Sequence, residues 1–153
     1  MSFKPTVHSA FTLERTLAAA PALVFQAWST PEGKKKWFVA HQAKEHLREM
    51  NFRVGGKDGL IGEWPNGMKS EFRAQYFDIK PNERIVYVYE MFLDGVKIST
   101  SLATIDFEPK GKGTRMVLTE QHAFVDGYGD NGSRERGTND LLDQFVASLS
   151  LAN

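Results

Sequence analysis

The chain has 153 residues, 41% of them hydrophobic, enough for one domain with a real core. Lysine plus arginine and aspartate plus glutamate number 19 each, so the formal net charge is zero. Nucleic acid is therefore not an expected partner, because phosphate-backbone binders carry a basic excess. The absence of cysteine excludes disulfides, thiolate metal sites and cysteine nucleophiles.

The opening Met1-Ser2-Phe3-Lys4-Pro5-Thr6 lacks the apolar core of a signal peptide, and no apolar run is long enough to span a membrane. A cytoplasmic protein without a membrane span is expected, as one domain over 1–153 with 1–8 a flexible N-terminus. From Ala10 to Leu17 apolar residues alternate with polar ones, the period of a strand. Arg15 falls on its apolar side. Either its stem is buried at the rim with the head in water, or it enters a buried pair with a carboxylate.

Ala20-Pro21 begins a helix, since proline suits a first turn. Leu23, Val24, Ala27 and Trp28 form its apolar stripe, with Phe25 beside it. Ser29 or Thr30 caps a second short helix starting at Pro31. Its Lys34-Lys35-Lys36 run reads as a solvated face, with a contact patch for an acidic partner as the alternative. Ala43 to Val54 reads as a long strand with Met50, Phe52 and Val54 on one face, ended by Gly55-Gly56.

Shorter strands follow. One lies around Leu60 to Trp64 and, after the turn Pro65-Asn66-Gly67, another from Lys69 to Ile79. Pro81-Asn82 turns the chain into Arg84 to Leu93, where Tyr87, Tyr89 and Met91 alternate with Val86, Val88 and Glu90. Asp94-Gly95 is a two-residue hairpin signal. Val96 to Glu108 and Thr114 to Phe124 complete the strands. Asp126 to Gly137 is polar and glycine-rich and reads as a long loop. Thr138 or Asn139 caps the last helix, whose stripe is Leu141, Leu142, Phe145, Val146, Leu149 and Leu151. The order predicts an α+β fold, a curved antiparallel sheet wrapped around a long C-terminal helix.

Five local patterns carry a resemblance to a known family. They are Arg15–Pro21 with Val24-Phe25-Gln26-Ala27-Trp28, Thr30-Pro31-Glu32 with Trp37, Phe52-Arg53-Val54-Gly55-Gly56, Ile79-Lys80-Pro81-Asn82-Glu83-Arg84-Ile85, and Gly113-Thr114-Arg115-Met116-Val117-Leu118-Thr119. In this order they resemble the START-like superfamily (SRPBCC, Bet v 1-like, polyketide cyclase), and within it the heat-shock-protein-90 ATPase activator homologue group. The resemblance implies the helix-grip fold, with two short helices after the first strand. It also implies a sheet–helix cavity that in many relatives holds hydrophobic small molecules. Two positions depart from the group. Asn51 stands where an acidic residue is common, and Gly137-Thr138 stands where Gly-Trp often opens the last helix.

Polar residues on the apolar parity of strands are the best site candidates, because burying them costs free energy unless they are paired. Glu120 and His122 share parity with Met116 and Leu118, and His46 and Arg48 with Met50 and Phe52. Glu120 or His122 is the candidate general base, with a tyrosine or Arg48 steadying an enolate-like oxygen. The alternative places these groups at a wet rim or has them orient a ligand. The histidines His8, His41, His46 and His122 have no metal-ligand spacing, so neither metal nor cofactor is expected.

The leading expectation is a binding protein rather than an enzyme, holding a small hydrophobic or lipid-like ligand. Its expected lining is Trp37, His46, Arg48, Met50, Phe52, Phe72, Tyr76, Tyr87, Tyr89, Met91, Leu118, Glu120, His122, Leu142 and Phe145. The alternatives are a co-chaperone-like module with a chaperone as partner, and a small cyclase or isomerase. A homodimer is compatible with the pattern but unmarked by it.

Overall fold

A computed structural model describes residues 2–151, the side chain of Leu151 excepted. Met1 and the expected place of Leu151 in the last apolar stripe lie outside what it describes. The elements are β1 (Val7–Leu17), α1 (Pro21–Ser29), α2 (Pro31–Lys35), β2 (Lys44–Met50), β3 (Lys57–Glu63), β4 (Lys69–Lys80), β5 (Arg84–Leu93), β6 (Val96–Lys110), β7 (Gly113–Phe124) and α3 (Ser133–Leu151). The strands form one antiparallel sheet in the order β1-β7-β6-β5-β4-β3-β2. This is the curved, helix-grip α+β architecture that the element order predicts.

Local chemistry explains most boundaries. The β5–β6 hairpin turns on Asp94 and Gly95 at φ 47° and 81°, the paired positive values that a two-residue hairpin with the sheet's twist needs. Thr30 caps α2, its Oγ1 accepting from Gly33 N at 3.0 Å. β1 extends back to Val7, so Val7 and His8 pair with Phe124 and Ala123.

The core lies between the sheet and the helices. Trp28, Trp37 and Phe145 pack ring against ring, with centroids 4.6 to 5.8 Å apart. Their polar edges are satisfied. Trp37 Nε1 donates to Ala27 O at 3.0 Å and Trp28 Nε1 to Met116 Sδ at 3.3 Å. Gln144 of α3 donates from Nε2 to the carbonyls of Trp37 and Val39, each at 2.8 Å, tying the α2–β2 connection to the last helix.

Five sequence expectations change. The long strand ends at Met50. Residues 51–56 turn instead, because Gly55 takes φ 83° and the Gly55 N–H bonds Tyr76 O at 2.7 Å. Val54 is therefore exposed, while Phe52 packs on Phe25 and Tyr76. A bulge between Glu45 and Leu47 shifts the parity of β2, which turns His46 outward against Glu63. In α1, Phe25 is buried and Leu23 exposed.

Lys34 belongs to no solvated face, being 2% exposed. α3 begins at Ser133, so Thr138 is inside the helix and not its cap. Asp130 Oδ1 accepts from the N–H groups of Gly132 and Arg134 and starts the helix early. Arg15 combines both of its readings. It reaches Asn139 and the exposed Asp143 on α3 at 3.0 and 3.1 Å, so it pairs with a carboxylate but at the rim.

Candidate functional site

Between the sheet and α3 lies a cavity of about 540 Å³. Period-two alternation puts Tyr87, Tyr89 and Met91 of β5 on its wall, joined by Phe72 of β4 and Leu118 of β7. Leu141 and Leu142 close it from α3, one helical step apart, and Trp28 and Trp37 line it as well. Val39, Ala40 and Ala43 bound it on one side, Trp64 and Met68 beside the β3–β4 turn on another, and Tyr128 and Gly129 on a third.

One end of this apolar space is polar. Glu120 of β7, only 3% exposed, lines it. Glu120 Oε1 accepts from the Tyr89 hydroxyl at 2.5 Å and faces His122 Nε2 at 2.8 Å. His122 Nδ1 meets Ser9 Oγ at 3.0 Å, across the β1–β7 pair where Ser9 is its register partner. Arg134, in the first turn of α3, donates to Tyr89 Oη at 3.1 Å and to Ser99 Oγ at 2.9 Å. Burial, reinforced by the Glu120 charge, holds the Tyr89 phenol well above the ordinary tyrosine range, so it stays a donor.

A second buried cluster lies behind the wall. Lys34 Nζ donates to Asp58 Oδ2, which also accepts from Tyr76 Oη at 2.5 Å. The ammonium sits 4.3 Å from the Phe38 ring centre and 5.6 Å from that of Phe72. Burial lowers the Lys34 pKa, with the Asp58 charge opposing. Phe38, Phe72 and Tyr87 separate this pair from the cavity, which they line.

The expected site residues divide accordingly. Trp37, Phe72, Tyr87, Tyr89, Met91 and Leu118 meet on the cavity, with Glu120 and Leu142. His122 stands one step behind Glu120. Phe52 packs against the core, and Tyr76 and Phe145 are part of it. Arg48 is held by Glu45 at 2.7 Å and by Phe38 O at 2.9 Å, away from the lining. Met50 ends β2 outside it, and His46 points outward.

Sequence reasoning missed Arg134, hidden in a segment read as loop, and the pair Lys34–Asp58. Asp58 shares parity with Leu60, a signal that becomes visible once β3 starts at Lys57. Among the described residues no group of three His, Cys, Asp or Glu side chains could hold a metal, and no helix is long and apolar enough to cross a membrane.

The family model described as "Activator of Hsp90 ATPase homolog 1-like protein" matches residues 18–150. A solved protein from Rhizobium leguminosarum is 41% identical with TM-score 0.93, the match covering 97% of this chain and 99% of that one. The Mll3558 protein from Rhizobium loti is 36% identical with TM-score 0.88, covering 95% and 99%. The AHSA1 protein from Silicibacter pomeroyi, 20% identical with TM-score 0.79 over 95% of this chain and all 100% of that one, shares the fold. A search of curated proteins finds no match.

Proposed function

The chain belongs to the activator of Hsp90 ATPase homolog 1-like family, and on that premise we propose that it is a binding protein for a small, largely apolar molecule. The observation that carries the reading is the cavity of about 540 Å³ between sheet and α3, lined mostly by apolar side chains with Glu120, Tyr89 and Arg134 as one hydrogen-bonded polar group. That volume falls in the range of small-molecule sites, which are mostly apolar with a few placed polar groups. Apolar burial, at ~25 cal/mol per Å² removed from water, supplies the affinity. The polar end orients what enters.

The test uses N-phenyl-1-naphthylamine, a neutral dye that brightens in apolar surroundings. Wild-type protein is expected to bind it saturably at one site with micromolar affinity. Thr138→Trp, a ring at a cavity-lining helix position, is expected to weaken binding at least about tenfold (~1.4 kcal/mol). Absence of saturable binding, or equal binding by a folded Thr138→Trp protein, refutes the reading.

A second reading has one observation in its favour. A nearly buried carboxylate, Glu120, borders the cavity, and the Arg134 guanidinium is one tyrosine hydroxyl away. These are the parts for proton abstraction beside a carbonyl, with Glu120 as base and Arg134 facing the developing oxyanion. Glu120→Gln would then abolish turnover of a carbonyl substrate while leaving its binding in place. Retained turnover in that variant removes the role.

A further inference from the structure

We propose that the cavity selects neutral ligands carrying a hydroxyl group, phenols or alcohols on an apolar ring system, with the hydroxyl donating to Glu120 and accepting from Arg134. This rests on the container reading above and names the class of molecule it holds.

The argument starts from the free valences of the polar end. Both donors that Glu120 meets, Tyr89 Oη and His122 Nε2, converge on Oε1. Oε2 has no hydrogen-bond partner among the described residues. Among the described residues no fully buried side-chain oxygen or nitrogen goes without one, so Oε2 keeps accessible surface. Glu120 is 3% exposed and lines the cavity, so that surface belongs to the cavity. The carboxylate thus presents one acceptor to whatever enters. The Tyr89 hydroxyl gives its proton to Oε1 and accepts from Arg134 Nη1, so it has no hydrogen left to offer the ligand.

Arg134 supplies the complement. Its bonds run to the hydroxyls of Tyr89, Ser99 and Ser101, with Nη1 to Ser101 Oγ at 3.4 Å. No carboxylate lies within ion-pair distance of it among the described residues. The N–H on Nε and the second hydrogen on Nη2 have no partner among the described residues, and Arg134 lines the cavity. The polar end therefore offers one anionic acceptor and one cationic donor, linked through the Tyr89 hydroxyl.

Charge decides the class of ligand. A carboxylate or phosphate on the ligand gains Arg134 but meets the like charge of Glu120, an ammonium gains Glu120 but meets that of Arg134, and either ion gives up its own hydration on entering. A purely apolar group strips water from both and returns nothing. A hydroxyl satisfies both at once, because the same oxygen donates and accepts. Beyond it, Met91, Leu118, Leu142 and Trp37 offer an apolar wall for the body of the molecule.

The experiment is displacement of N-phenyl-1-naphthylamine near neutral pH by a matched series: 2-naphthol, 2-methoxynaphthalene, 2-methylnaphthalene, 2-naphthoate and 2-naphthylmethylammonium. Naphthol is expected to bind at least about tenfold tighter than the methoxy and methyl analogues, the effect of a hydrogen bond to a charged group. Both ions are expected to bind more weakly than naphthol. In Glu120→Gln and Arg134→Met the naphthol advantage is expected to shrink to a few-fold at most, while 2-methylnaphthalene binds at least as tightly as to wild type, because it no longer strips water from a charged group. Retained binding of 2-methylnaphthalene shows that the cavity itself is intact.

If naphthoate binds tightest, the end reads anions and the proposal is overturned. If naphthol and 2-methylnaphthalene bind alike, or the advantage survives in both variants, the proposal fails while the container reading stands. If dye binds to neither wild type nor variants, the container reading fails first.

Discussion

Replacing Lys34 by Met is expected to be among the most destabilising changes open to this chain at a position that looks, in sequence, like one of three surface lysines. Lys34 and Asp58 are each 2% exposed. Asp58 takes the ammonium and the Tyr76 hydroxyl on one oxygen. Removing the ammonium leaves a buried carboxylate with one neutral donor at 2.5 Å among aromatic rings. Breaking a buried pair by deleting one partner costs about 3–5 kcal/mol. For a domain of this size, at roughly 2–4 °C per kcal/mol, Tm falls by about 6–20 °C.

Lys34→Met with Asp58→Asn removes both charges and keeps an acceptor for Tyr76. The double variant is expected to recover at least about half of the loss, a coupling of the size seen for residues in direct contact. Urea unfolding followed by circular dichroism and by the fluorescence of the nearby Trp28 and Trp37 measures both. A Lys34→Met protein within about 1 kcal/mol of wild type, the size of an ordinary substitution, would refute the reasoning. So would a double variant as unstable as the sum of the two single ones. Phe38, Phe72 and Tyr87 surround the ammonium and line the cavity, so the single variant is also expected to bind dye more weakly.

Two further outcomes follow from the same structure. Burial raises the pKa of Tyr76, Tyr87 and Tyr89 above the ordinary 10.0. The folded state therefore keeps phenolic protons that the unfolded state releases, and stability is full below pH 10 and declines above it. Tyrosinate absorbance from these three of the four tyrosines should rise together with loss of the far-ultraviolet dichroism; full ionisation in a folded protein would contradict the burial. Gly137 lies inside α3 with open space where a Cβ would stand, so Gly137→Ala should stabilise by about 0.5–1 kcal/mol. Destabilisation in a thermal melt would mean that the helix does not run through this position.

Much of the fold was legible in local pattern. Tyr87, Tyr89 and Met91 alternate because one face of β5 is buried, and Asp94-Gly95 marks its turn because few residues tolerate both positive φ values. Glu120 and His122 stood out as polar residues on an apolar parity, and both are buried. Other positions were illegible for identifiable reasons. His46 lies at a bulge, which inverts parity without any sequence mark. Arg134 lies in a glycine-rich stretch that a single Asp130 side chain converts into a helix start.

The sequence by itself determined most of the strands, the turns and the apolar stripe of the last helix, because these rest on periodicity and backbone preference between near neighbours; the family showed in the order of five local motifs. Only the tertiary structure decided which charges are buried and with whom. Lys34 and Asp58, or Glu120, Tyr89 and Arg134, are joined by strand register and helix docking across long separations. A charge in a run of lysines reads as surface until the fold places a carboxylate against it.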